Sequence, residues 1–217
     1  MIDALLSKEQ INQFKGFSQK DKLERLRLRF SQRLLKKDIP FRLEREIKDP
    51  WPGNIDKARL LLQGCFDLDG VLLEQTEPHW LPYGLDEKHI YRLNNFDWLR
   101  DLKTLGGEAA RQKGRHLIAH WITHNRAHNA ENWEANVMAM RVYNWLAFYE
   151  FFCASASDEF KDMYFESLSE QIYRLSCIST RSLENMAQIR VGRALSISGL
   201  VLKEYGFLKE KGLNVFL

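Results

Sequence analysis

Apolar residues recur at helical spacing over most of this chain, and strict alternation is almost absent. From Ser18 the text "SQKDKLERLRLRFSQRLLKK" places Leu23, Leu26, Phe30 and Leu34 on one stripe, with Ser18 as its N-cap. An irregular segment, "DIPFRLEREIKDPWPGN", follows; Pro50 and Pro52 bracket Trp51 and forbid regular helix there. A short helix fits Ile55 to Gln63 and stops at Gly64. In "CFDLDGVLLE", apolar residues flank an Asp-Gly pair, which predicts a β-hairpin. A second irregular stretch holds Pro78, Pro82 and Gly84. Beyond it the pattern predicts helices over 95–105, 107–125, 133–153, 158–177 and 181–206.

The segment from Trp133 says most about architecture. Met138, Val142, Trp145, Tyr149 and Phe152 define one apolar face, and Trp133, Val137, Met140, Phe148 and Phe151 define another. A helix apolar on two sides packs between two layers. In the last long helix Gly192, Ser196 and Gly199 form a stripe of small residues that permits close approach of a neighbour. An all-α array with an inner layer is the expectation.

Composition narrows the class. The 217 residues are 45% hydrophobic and 12% aromatic, enough for a sizeable core. A formal charge of +3 singles out no partner. The basic residues between Lys20 and Lys37 read as the solvated side of a docked helix, so nucleic acid and membrane are not expected partners. No secretory leader is expected from the Met1 end, no apolar run reaches spanning length, and Cys65, Cys153 and Cys177 read as buried thiols in a reducing cytoplasm.

Two motifs invite sharper readings. "FDLDG" looks like the opening of an aspartate-nucleophile phosphatase. The run before Asp67, "LLLQGCF", is broken by Gln63 and Gly64, and no Gly-Asp or Asp-Asp pair follows to hold magnesium. The hairpin is the better reading. His116, His120, His124 and His128 lie four apart, a spacing that can grip metal. On a helical wheel His116 lies opposite the apolar face of Leu117, Ile118, Trp121 and Ile122, and each later histidine moves closer to it. They read as surface or boundary residues, and neither metal nor cofactor is expected.

"DPWPGN", "GCFDLDG", "FDWLRDL", "AARQKGRHLIAHWI" and "MRVYNWLAFYEFF", in this order, resemble the N-terminal helical part of the heparinase II/III family over about residues 45–205. The resemblance implies a partial (α/α) toroid of antiparallel helix pairs with a small hairpin near 64–74. It divides the chain into a basic lead-in, 1–53, and a helical region, 54–217, that looks truncated. It also implies a polysaccharide lyase acting on acidic glycans by β-elimination. The remaining toroid helices and a β-sandwich would be partners, and the isolated chain would have little activity. A non-catalytic glycan- or protein-binding module is the alternative.

The residues that the resemblance offers for substrate binding are Arg141 and Asn144 on the "RVYNWL" helix, and Arg181, Glu184 and Asn185 in "TRSLEN". Trp51 and Trp80, in proline-containing loops, are candidates for stacking on sugar rings. Thr180 and Arg181 occupy the place of the family's Asn-His pair, so the standard catalytic arrangement is not expected.

Overall fold

The computed structural model describes residues 39–40, 42–75, 79–125 and 131–215. The basic 18–37 segment and His128 lie outside the described residues.

The elements, in chain order, are α1 (Ile55–Leu62), β1 (Cys65–Leu68), β2 (Val71–Glu74), α2 (Glu87–Asn94), α3 (Leu99–Leu105), α4 (Gly107–His124), α5 (Ala135–Phe152), α6 (Asp158–Cys177), α7 (Asn185–Val201) and α8 (Leu208–Leu213). Asn54 starts α1: its side chain accepts from the amides of Asp56 and Lys57 at 2.8 and 3.2 Å. The two strands are antiparallel, with Leu68 opposite Val71. Their two-residue turn has positive φ at both Asp69 (57°) and Gly70 (93°), the combination that matches strand twist. Asp67 therefore sits on a two-stranded hairpin, where its carboxylate accepts from the Gly70 amide at 2.7 Å. The phosphatase reading fails on this geometry.

Side-chain pairing gives the helix directions. Arg115 of α4 reaches Phe152, and Trp121 meets Trp145, so α4 and α5 are antiparallel. Arg141 meets Gln171 while Tyr149 meets Phe165, which makes α5 and α6 antiparallel as well. Arg190 meets Asn136 and Arg193 meets Met140, so α5 and α7 run parallel. Helices α5 and α7 form one layer and α4 and α6 the other. This is the arrangement of a partial (α/α) toroid.

The two-sided apolar pattern of α5 has its expected consequence. Val137, Met138, Val142, Trp145, Phe148, Tyr149 and Phe152 are all buried, on more than one face. At its C-terminal end Arg111 and Arg115, one turn apart on α4, donate to the carbonyls of Phe151 and Phe152 at 3.0 and 2.6 Å. These are among the carbonyls that a helix end leaves without internal partners.

Several expectations are corrected. Helix α2 falls in a stretch expected to be irregular; its inward face has only Ile90 and Leu93 as apolar anchors, too few to show a period. Its start is fixed by Asp86, whose side chain accepts from the His89 amide at 2.9 Å. The last long helix begins at Asn185 rather than 181, because Thr180–Ser182 form a 3-10 turn, and it ends at Val201. A further helix, α8, then folds back onto the small-residue stripe. Trp80 is 3% exposed and belongs to the core, and Cys177 is exposed while Cys65 and Cys153 are buried. His116 is exposed and His120 half-buried, as the wheel predicts, but His124 is exposed, its ring stacked on His120 at 3.9 Å.

Two predictions follow from the packing. A Cβ on Gly199 would lie 2.3 Å from the Lys209 amide nitrogen. Gly199→Val is expected to lose about 1–3 kcal/mol in urea unfolding, the usual cost of overpacking; an unchanged midpoint would show that α8 is not held there. Burial, with lesser effects from Cys153 and Glu150, pushes the Tyr149 phenol from 10.0 up to about 12. The folded protein thus keeps a proton that the unfolded chain releases. The Tyr149 contribution is complete below pH 10 and falls as pH rises toward about 12. Tyr149→Phe should flatten that part of the stability–pH curve.

Candidate functional site

Two polar residues of α5 are turned inward. Arg141 has no exposed surface. Its Nε donates to Gln171 Oε1 at 2.6 Å, and Nη1 donates to the carbonyls of Asn94 and Asn132 at 3.0 and 2.9 Å. The guanidinium lies over the Trp121 ring at 4.0 Å and the Trp133 ring at 5.5 Å. Burial pushes its pKa well below the ordinary arginine value. One turn on, Asn144 is also fully buried and donates to the Asn95 carbonyl at 2.8 Å. Both side chains grip the loop that opens "NNFDWLRDL".

That grip fixes an unusual residue. Phe96 has a φ of 63°, a left-handed conformation that costs an aromatic residue of order 1–3 kcal/mol. Its ring sits among Trp80, Trp98, Trp121 and Trp145 at centroid distances of 4.8 to 6.0 Å. Trp80 in turn donates to His120 Nδ1 at 3.0 Å, which occupies the second rung of the histidine ladder.

The other candidates stand in the open. Trp51 is 70% exposed, and Arg181, Glu184 and Asn185 are exposed at the start of α7. Gln188 fastens the preceding turn by donating to the Thr180 carbonyl at 2.8 Å. Because α5 and α7 are parallel, their N-terminal ends share one side of the array. A cleft of about 320 Å³ opens there, lined by Glu87, Lys88, Tyr91, Glu131, Glu134 and Asn136, among others. Arg190 borders it, donating to Asn136 Oδ1 at 2.7 Å and lying 5.4 Å from the centre of the Tyr91 ring. Sequence reasoning missed Tyr91, Asn136 and Arg190. The signal available was Asn136 and Tyr143, seven apart and so on one face of α5, a helix buried over most of its length.

A larger cleft, about 570 Å³, lies where the hairpin, α1 and α3 meet, lined by Asn54, Lys57, Asp67, Asp69, Arg92 and Asp101 among others. Its charges are largely spent on each other: Lys57 pairs with Asp67 at 3.5 Å and Arg92 with Asp69 at 3.0 Å. Against the opposing effect of burial, Arg92 and Lys88 hold Asp69 below the usual carboxylate range. Burial raises Asp101, although the Asn54 amide donates to it at 2.7 Å.

Elements of this kind, in two layers of alternating direction, define a helical-toroid protein. The chain is similar to the crystal structure of heparan sulfate lyase HepC from Pedobacter heparinus, with a TM-score of 0.64 and 15% identity over 87% of this chain and 33% of that one. A mutant of the same lyase gives 0.62 and 16% over 95% of this chain and 36% of the other. At such identity the likeness establishes the fold, and the chain spans about a third of the length of these structures. No protein-family model matches the sequence, and no curated protein matches it. Among the described residues no helix is long and apolar enough to cross a membrane.

Arg141→Met would leave the Asn94 and Asn132 carbonyls and Gln171 without their donor. The expected loss is about 2–4 kcal/mol in chemical unfolding, since a buried neutral acceptor left unmet costs about 1–3 kcal/mol and removing the buried charge offsets part of it. A loss under about 1 kcal/mol would show that the loop is held elsewhere.

Proposed function

We propose that this chain is a helical domain of a polysaccharide-lyase-like protein and that it binds acidic glycans. The supporting observation is the shared fold with a heparan sulfate lyase over most of this chain. Exposed Arg181, Glu184 and Asn185 at the start of α7, and the polar cleft that Arg190 borders through Asn136, are groups that such binding would use.

β-Elimination next to a uronate needs a base for the proton α to the carboxylate. It also needs a group that neutralises the enolate-like charge, and an acid for the leaving oxygen. Arg181 suits the second role only, because a guanidinium stays protonated and cannot accept the proton. Arg141 and Asn144 are fully buried and donate to backbone carbonyls and Gln171, so we assign them to holding the site's scaffold. Trp51 remains available for a sugar face. Met186, Ile189 and Leu200 are exposed along α7, which supports the packing of further elements, additional toroid helices and a β-sandwich, against that edge. The free cysteines are in keeping with a cytoplasmic setting.

A non-catalytic glycan- or protein-binding module is the second reading, favoured by Thr180 and Arg181 standing where the lyase pair is expected. One pair of measurements separates the outcomes. The chain should bind heparan sulfate or another uronate-containing polysaccharide in a salt-sensitive manner by calorimetry. It should produce no ultraviolet absorbance from unsaturated uronate when incubated alone with the same glycans. Turnover by the chain alone would overturn the inactivity; absence of binding to every acidic glycan would sink the glycan reading.

A further inference from the structure

Helix α7 presents two arginines one turn apart, Arg190 and Arg193, both half-buried. Residues three apart share a helix face, with Cβ atoms about 5–6 Å apart. Each guanidinium is laid on a tyrosine: Arg190 lies 5.4 Å from the Tyr91 ring centre and Arg193 lies 3.9 Å from that of Tyr143. Their hydrogen bonds go to neutral groups. Arg190 Nη1 donates to Asn136 Oδ1 at 2.7 Å, and Arg193 Nη2 donates to the Met140 sulfur at 2.9 Å, a weak acceptor. Among the described residues neither arginine has a carboxylate in ion-pairing distance. The nearby Asp49 is taken by Arg100 at 2.7 Å. Two like charges are thus held side by side without a direct ion pair, with Asp49 acting on Arg193 only from beyond contact, in a partly desolvated setting that lowers the Arg193 pKa through burial first.

Resting on the glycan reading above, we propose that Arg190 and Arg193, oriented by Tyr91 and Tyr143, form a paired-cation subsite for an oxyanion carried on a sugar, either carboxylate or sulfate. An anion between the two guanidiniums offsets their repulsion and accepts from both planar donor sets. This is the recognition at which arginine surpasses lysine. The ring contacts fix the planes beforehand and reduce the ordering cost of binding. The adjoining cleft supplies the complement. Glu87, Glu131 and Glu134 line it together with Tyr91 and Asn136, which also touch Arg190. Carboxylates there repel a second anion and accept from hydroxyls. The bound unit is therefore an acidic monosaccharide whose charged group faces α7 and whose hydroxyls face the start of α5.

The probe is a heparin-derived tetrasaccharide, together with its carboxyl-reduced and desulfated forms, measured by calorimetry against the full chain. Arg190→Gln and Arg193→Gln are each expected to weaken binding about tenfold, the scale of one charged hydrogen-bonded contact, and Arg190→Lys should recover little of it. Loss of affinity for the carboxyl-reduced form alone assigns the anion as carboxylate, and for the desulfated form alone as sulfate. Equal affinity for all three forms overturns the subsite. Should Arg193→Gln not fold by circular dichroism, Arg190→Gln and a footprint decide. The tetrasaccharide should protect Arg190 and Arg193 from butanedione modification, read by mass spectrometry; equal modification with and without it overturns the proposal. Wild-type affinity in both Gln variants, with binding lost in Arg181→Ala, rejects the subsite and leaves the glycan reading standing. No binding of the tetrasaccharide or any other acidic glycan by the unaltered chain rejects both.

Discussion

The architecture depends on a guanidinium that has been taken entirely out of water. Arg141 has no carboxylate partner among its contacts; its Nε and Nη1 are met by two backbone carbonyls and one side-chain amide, its plane lies against two indole faces, and Nη2 has no hydrogen-bond partner. Removing a cation from solvent costs several kcal/mol unless its donors are met. Every acceptor here comes from a different part of the chain: the end of α2, the turn before α5, and the middle of α6. The charge therefore cannot be satisfied until those parts are assembled. Asn144 repeats the device one turn further along, on the next carbonyl of the same loop.

This grip explains how a strained residue persists at the centre of the core. Phe96 follows directly after the two gripped carbonyls, and its left-handed backbone aims the ring into four tryptophans. Burial of a large aromatic surface offsets the backbone cost, at about 25 cal/mol per Å² removed from water. The same loop leads into α3, whose Asp101 receives the Asn54 amide and whose Arg100 holds Asp49. The proline-containing lead-in is thereby fastened to the helical body, and α4 is fastened by its arginines to the end of α5. The N-terminal sides of α5 and α7 are joined by side-chain contacts of Arg190 and Arg193, and there polar side chains border an open cleft.

Much of this was legible before any coordinates. The hydrophobic period of α5 on two faces has only one physical solution, burial between layers, and the Asp-Gly pair flanked by apolar residues specified its hairpin turn. Other features were illegible for identifiable reasons. Helix α2 has one short inward stripe, so its period is invisible, and Asp86 alone marks its start. Trp80 sits in an irregular segment, where sequence does not say which way a side chain points; its burial is set by His120 and Asn94, which lie 40 and 14 residues away. His124 escapes the drift of the wheel because α4 ends there. Arg141 and Asn144 were visible as polar residues on an apolar helix, but the acceptors that define their role lie in loops that no local pattern connects to α5.

The contrast between arginines carries the functional content. Arg141 and Arg193 both lie against aromatic rings, and burial lowers the pKa of each. They differ in what surrounds the donors. Arg141 donates to three strong oxygen acceptors in a closed interior. Arg193 faces a thioether and a second guanidinium while remaining partly open to solvent. A folded chain has little structural reason to keep two cations together in that way, since the arrangement destabilises it by mutual repulsion. Such an uncompensated pair makes sense when the missing charge arrives from outside, and a sugar-borne anion placed there would recover what the fold leaves unsatisfied.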